Sequence, residues 1–375
     1  MPVTTLPRPA SRLDHLRPSP IRLLSEGAPD GAIPLGLGEP TWDLPEPARR
    51  ALAAVSGPAA YGPNLGLPEL RQALACWHIA RSDEVLVTVG SEEALLALFL
   101  AYLEPGDAVL VPDPGYPAYG ALARLAGADP VPYSLTHGTL AVEGFRVALA
   151  ATPQAKVAVL NFPSNPTGGV PSREVLREVA RLAAAQGILL ISDEVYRELY
   201  LGQRPPTLRE VTDQCVVVSS VSKAWGAAAL RVGWLVADPA LLAPVRAVHG
   251  YAVTCASAPC QRAALALLEH SDTVLPDARA ELRIRWEALS HAVEAELGIS
   301  VDPPGGAFYL WLPLPGHATD PMAFCLEVRD QGGVVLVPGS TFGEAGSRQL
   351  RLSFAAMPEQ LTEGVRRLAP FWGRR

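Results

Sequence analysis

Between residues 84 and 236 the chain repeats one pattern, a short apolar run followed by a longer segment of helical periodicity, and this repeat restricts the fold more than any other feature. The runs 85–89, 108–111, 157–160, 188–191 and 216–218 are rich in valine, leucine and isoleucine and do not alternate with polar residues. A strand with one face in water alternates, whereas a strand covered on both faces does not. Such runs separated by helices predict a mostly parallel sheet, its strands side by side between two layers of helix. One intervening unit shows the logic. Ser172 is placed to cap a helix, Val175, Leu176, Val179, Ala180 and Leu182 form one apolar stripe, and Gly187 supplies a left-handed stop before the next run.

Beyond about residue 263 the texture changes, with a helical segment over 277–297 and apolar runs at 307–312 and 334–337. A chain of 375 residues is long for one hydrophobic core. We therefore expect a large α/β domain over 36–262 and a smaller α+β domain formed by 1–35 with 263–375.

Charge and cysteine usage narrow the partners. The net charge is −7 and no stripe of lysine and arginine runs along the chain, so nucleic acid is not an expected partner. The first 24 residues have neither the apolar centre of a signal peptide nor the length to cross a bilayer, which points to a cytoplasmic protein. Cys76, Cys215, Cys255, Cys260 and Cys325 are odd in number and contain no CxxC pair, as expected of reduced thiols. The histidines are scattered without an HxxxH spacing, and no metal site is expected.

The informative observation is positional. Residues competent for chemistry follow the ends of successive apolar runs, where open α/β sheets bind their ligands. The first run leads into Gly90-Ser91-Glu92-Glu93, a turn opening a helix whose free amides and dipole suit a phosphate. The second leads to Pro114-Gly115-Tyr116-Pro117, and the third to Asn161-Phe162-Pro163-Ser164-Asn165-Pro166-Thr167-Gly168. The fourth ends at Asp193-Glu194-Val195-Tyr196, and the fifth at Ser219-Ser220-Val221-Ser222-Lys223. Each loop alone is weak, since an Asn-Pro-Thr-Gly is usually a turn and a closing aspartate usually a cap. Their joint occurrence, in this order, is specific. The nucleotide-binding alternatives lack their signatures, for no GxGxxG follows a strand and no GxxxxGK[ST] occurs.

The set Ser91-Glu92-Glu93-Ala94, Asn165-Pro166-Thr167-Gly168, Asp193-Glu194-Val195-Tyr196 and Ser220-Val221-Ser222-Lys223, followed by Arg231-Val232-Gly233, resembles the class I/II aminotransferases of the aspartate aminotransferase superfamily. The resemblance extends to 35–40, to Tyr61-Gly62-Pro63, to Gly305-Gly306-Ala307-Phe308-Tyr309 and to Arg351-Leu352-Ser353-Phe354-Ala355, and so spans nearly the whole chain. It implies a transferase fold that binds pyridoxal 5′-phosphate. The implied reaction carries an amino group from an L-amino acid to a 2-oxo acid by a ping-pong route.

By the same resemblance Lys223 would carry the cofactor and shuttle a proton, with Asp193 against the ring nitrogen. Tyr196 and Asn165 would bond the ring oxygen, and Tyr116 would stack on the ring. Ser91, Glu92, Ser220, Ser222 and Arg231 would complete the cofactor site, mainly at the phosphate. Arg351, with Gly38 and Asn165, would take the substrate carboxylate. Tyr61 would reach the phosphate of a neighbouring subunit, implying a homodimer.

Three departures stand out. Ala229 occupies a position where family members commonly have glycine, the segment 70–85 is short, and Trp225 sits beside the lysine, more as a packed aromatic than as a cofactor contact. Competing readings are a C–S lyase on the same scaffold and, from another class, a non-catalytic ligand sensor. The latter would need a basic DNA-binding module ahead of a domain that begins near residue 36.

Overall fold

In the computed structural model, which describes residues 8–14, 16, 18–57 and 60–373, all five apolar runs are strands, and two further strands join them. In chain order the large sheet comprises β1 (Val85–Thr88), β2 (Ala108–Asp113), β3 (Asp129–Ser134), β4 (Ala155–Asn161), β5 (Leu189–Asp193), β6 (Cys215–Ser220) and β7 (Gly233–Val236). Across the sheet their order is β1-β7-β6-β5-β4-β2-β3. Every pairing is parallel except those of β7, which runs antiparallel to both β6 and β1.

The expectation of five strands side by side is corrected at two places. β7 inserts between β1 and β6, because residues 221–232 turn back without a crossover helix and so deliver an antiparallel neighbour. β3, with the sequence Asp129-Pro130-Val131-Pro132-Tyr133-Ser134, lies at the sheet edge and is only partly buried. An edge strand tolerates proline and water, and this is why it shows no apolar run.

Alternate residues of the central strands enter opposite cores, as the pleat requires. Val157 and Val159 pack with Leu95, Leu98 and Phe99 on one face, while Ala158 and Leu160 pack with Leu176 and Val179 on the other. Leu176 and Val179 belong to the helix Arg173–Ala185, which starts where Ser172 Oγ accepts the Val175 amide at 3.3 Å and is followed by Gly187 with φ +67°.

A smaller sheet holds β8 (Tyr309–Pro313), β9 (Val337–Pro338) and β10 (Gln349–Ser353), with β10 central and antiparallel to both neighbours. Ile33 bridges Val334, and the Ser353 amide donates to Leu35 at 2.6 Å, so the early segment runs along this sheet. Val217 and Trp234 of the large sheet share one hydrophobic cluster with Leu350 and Leu352 of the small one. This continuous apolar contact fixes β10 beside the large sheet, with its polar side chains near the strand ends.

Candidate active site

Because β7 runs opposite to β6, its first residues reach the same sheet edge as the last residues of β1, β2, β4, β5 and β6. The register Ser220↔Gly233 closes a tight return loop, and the spacing of Lys223 and Arg231 follows from it. The loop passes through Gly226 at φ +60° and a short 3-10 turn, Ala228–Leu230, before Arg231 at φ +52°. Ala229 therefore sits in an exposed turn with negative φ, where alanine is unstrained.

At the helix-start end, the helix Gly90–Tyr102 begins directly above β1, and its start is pressed against Gly233, where a Cβ would come within 2.7 Å of the Ser91 amide. The Arg231 guanidinium lies over Gly90, where a Cβ would stand 2.5 Å from it, and donates to Ala228 O at 3.1 Å. Ser220 and Ser222 are buried, with the Ser222 amide donating to Ser220 Oγ at 3.3 Å. Glu92 is exposed, and Glu93 makes the hydrogen bonds of this turn, accepting the Val89 amide at 3.0 Å and facing His249 Nδ1 at 3.1 Å.

At the centre, Lys223 Nζ donates to Gly38 O at 2.8 Å and lies 5.9 Å from the centroid of the Tyr196 ring. Burial pulls its pKa from 10.5 down to about 8, with Glu39 and Asp193 opposing the shift and Arg351 and Arg231 adding to it. Asp193, the last residue of β5, is buried, and burial pushes its carboxyl up to about 6. Two donors hold the charge in place, Tyr119 Oη at 2.7 Å from Oδ2 and the Val195 amide at 3.3 Å from Oδ1. Tyr116 packs edge-on to Tyr119 at 5.6 Å between centroids.

On the small-sheet side, Arg351 of β10 is 1% exposed. It donates to Asn165 Oδ1 at 2.8 Å and to Gly36 O at 2.6 Å, and lies against the rings of Tyr309, 4.4 Å to the centroid, and Phe342, 4.8 Å. Its Nε has no partner. Asn165 is set by its own amide donating to Asn161 Oδ1 at 2.8 Å. Tyr196 and Tyr309 share a hydroxyl contact of 2.7 Å, and a Cβ on Gly38 would collide with the Tyr309 hydroxyl.

The structure thus brings Lys223, Asp193, Tyr196, Asn165, Arg351 and Gly38 together, with Ser91, Ser220, Ser222 and Arg231 towards the helix start. Tyr61 stands 87% exposed on the protomer. Trp225 is a packed aromatic, 2% exposed, its indole donating to Ser271 Oγ at 3.2 Å. The short segment before β1 ends the helix Pro68–His78 with Ile79 at φ +53° and places Trp77 edge-on to Trp225.

The sequence reading did not single out Tyr119 or Phe342, and it assigned Tyr309 no role at the site. Tyr119 lies in the first turn of the helix Ala118–Leu125, just after the Pro114-Gly115-Tyr116-Pro117 loop, and its amide donates to Tyr116 O at 3.2 Å. One unused signal is compositional. Of 31 lysines and arginines only two are lysines, Lys156 and Lys223, and Lys156 is exposed on β4.

A primary amine softened by burial, a buried carboxylate and a helix-start pocket with serine and arginine donors match an aldehyde, a ring nitrogen and a phosphate respectively. The residues present therefore fit pyridoxal 5′-phosphate, and with the fold they define an enzyme of the pyridoxal-phosphate-dependent transferase class. The chain belongs to the class I and II aminotransferase family, whose model matches residues 30–368.

It is 35% identical over 361 residues to the aspartate/prephenate aminotransferase of Thermus thermophilus, with 91% of each chain covered. It is 32% identical to a probable N-acetyl-LL-diaminopimelate aminotransferase of Bacillus subtilis, covering 91% of this chain and 89% of that one. The N-succinyldiaminopimelate aminotransferase structure of Mycobacterium tuberculosis superposes with a TM-score of 0.90 at 30% identity, over 97% of this chain and 100% of that one. This protein is a pyridoxal-phosphate-dependent aminotransferase, with amino acids and 2-oxo acids as substrates. Among the described residues no helix is long and apolar enough to cross a membrane, and no group of side chains could hold a metal ion.

Proposed function

We propose that Lys223, Asp193 and Arg351 divide the transamination between them, with the substrate held between the large sheet and β10. The observation that carries this reading is their convergence at one place, a half-buried amine, a buried carboxylate and a buried guanidinium. When bound, pyridoxal 5′-phosphate supplies a protonated ring that draws electrons away from the substrate Cα. Lys223, with a pKa near 8, is neutral in part at neutral pH and so can accept a proton from Cα and return it. Asp193, kept ionised by Tyr119 and the Val195 amide, offers a fixed negative charge to the ring nitrogen. Arg351 receives the α-carboxylate on the guanidinium edge that now carries an orphaned Nε. Tyr196 and Asn165 would bond the ring oxygen, Tyr116 would cover the ring, and Ser91, Glu92 through its backbone, Ser220, Ser222 and Arg231 would hold the phosphate.

The same reading divides the chain into a large domain over 36–262 and a small one from the two ends. It also places a second copy of the chain over Tyr61. Tyr61 and Tyr251 are 87% and 97% exposed, and Asn64 Nδ2 donates to Thr254 O at 2.7 Å, so both tyrosines belong to one surface that a neighbour would cover. Five cysteines without a disulfide favour the cytoplasm.

The relatives' names include aspartate, prephenate and diaminopimelate derivatives as substrates. Glu39 follows the glycine that binds Lys223 and Glu92 follows Ser91, both exposed and without an ion pair among the described residues. Two carboxylates beside the cleft favour a donor whose distal end is neutral or cationic over a simple dicarboxylate.

The test is the absorbance of the cofactor-loaded protein as single amino acids are added without an oxo acid. Conversion of the cofactor to its amine form, reversed by 2-oxoglutarate or pyruvate, supports the reading and names the donor. An unchanged cofactor band, with ammonia and an oxo acid accumulating, means elimination and overturns it. A stronger response to aspartate than to diaminopimelate or lysine removes the electrostatic argument for the donor.

A further inference from the structure

Asp113, the last residue of β2, has no part in the chemistry described above, yet it touches the opposite side of the cleft. Its carboxylate accepts the Ala345 amide at 3.2 Å. Gly343 packs against the same carboxylate so closely that a Cβ there would collide with Oδ1, and its φ of +129° excludes other residues as well. Two residues after Asp113, the Gly115 amide donates to Phe342 O at 2.7 Å. The loop that presents Tyr116 is thereby tied at two points to the segment 342–345. Phe342 in turn lies 4.8 Å from the Arg351 guanidinium and packs edge-on to Trp311 of β8 at 5.8 Å. A continuous chain of contacts runs from the end of β2 through Asp113, segment 342–345 and Phe342 to Arg351.

We propose that Asp113 is a positioning residue, a clasp that sets the Arg351 guanidinium relative to Tyr116 and so determines affinity for the substrate α-carboxylate. The inference rests on Arg351 as the carboxylate site. The physical reason is that an exposed-loop amide tied to a charged acceptor is held more firmly than one tied to water. A guanidinium must also be placed to within a fraction of an ångström for bidentate binding. Without the clasp, the Tyr116 loop would be tied to segment 342–345 by the single Gly115 bond.

The experiment uses the cofactor-loaded enzyme. Asp113→Ala is expected to raise KM for the amino donor about tenfold while leaving kcat within about twofold. It should weaken by a similar factor the calorimetric binding of propionate, a carboxylate that cannot react. Asp113→Asn, which keeps a carbonyl acceptor for the Ala345 amide, should recover most of the affinity, and Gly343→Ala should reproduce the defect from the other side. Should Asp113→Ala not fold, the Asn and Gly343 variants carry the comparison. Unchanged KM and propionate affinity in Asp113→Ala, or a fall in kcat equal to the rise in KM, overturns the clasp. Failure of Arg351→Lys to weaken propionate would instead overturn the assignment of the carboxylate site, which separates the two outcomes.

Discussion

At the large-sheet end of the cleft, Lys223, Asp193, Asn165 and Ser220 each lie within four residues of the last residue of a strand, whereas at the small-sheet end Arg351 stands in the middle of β10. The first group is placed by local backbone, since a parallel sheet aligns its strand ends at one edge whatever the loops contain. Arg351 is placed by partners far along the chain, Asn165 at 186 residues and Gly36 at 315, and by the rings of Tyr309 and Phe342. The large-sheet end is thus set by strand register, and the small-sheet end by packing between two sheets. Damage to the first should remove chemistry, and damage to the second should mainly remove affinity.

The largest effect is expected at the lysine. Lys223→Ala should lower turnover by roughly 10³-fold or more, the scale of a lost positioned base, and abolish borohydride-reducible attachment of the cofactor, while Lys156→Ala changes neither. Substantial residual attachment in Lys223→Ala would break the assignment. Arg351→Lys comes next. Lysine keeps the charge but not the planar fork, so kcat/KM should fall about 100-fold, chiefly through KM, in steady-state kinetics. A fall confined to kcat would show that the two ends are not separable in the way proposed.

Tyr119→Phe sharpens the comparison within the large-sheet end. Loss of a buried hydrogen bond to a charged group costs about 1.5–3 kcal/mol, so activity should fall roughly tenfold or more. The sign of its pH effect is fixed. Tyr119 stabilises ionised Asp193 against burial, so without it the carboxyl pKa rises, and the acid limb of the activity profile shifts to higher pH. An unshifted acid limb would remove Tyr119 from the account.

In the cofactor-free protein, amine-reactive labelling of Lys223, read peptide by peptide by mass spectrometry, should rise with pH through a midpoint near 8. Labelling requires the neutral amine, so a midpoint at the ordinary lysine value of 10.5 would mean that the side chain is solvated. The smallest effect is expected from Gly38→Ala. Its methyl group would collide with the Tyr309 hydroxyl, forcing apart the Tyr196–Tyr309 contact at a cost of about 1–3 kcal/mol in denaturant unfolding.

How much of this was legible in the sequence follows the same division. The five apolar runs, the helix capped by Ser172 and the chemistry at the strand ends all depend on local pattern, and they stand where the pattern puts them. β3 was not legible because a sheet edge relaxes the demand for an apolar run and admits Pro130 and Pro132. β7 was not legible because its pairing with both β1 and β6 depends on the course of the return loop.

By itself the sequence determined the kind of sheet, the line of loops along its edge and, through resemblance, the transferase class and its cofactor. Periodicity and turn chemistry are properties of neighbouring residues, and they survive in any conformation the rest of the chain adopts. The tertiary structure alone decided that Tyr119 braces Asp193, that Tyr309 and Phe342 flank Arg351, and that Asp113 reaches Ala345 across 232 residues. Those contacts join segments that no local rule relates. They exist because one continuous hydrophobic core, running from Trp234 to Leu350, holds the two sheets close enough for their polar edges to meet.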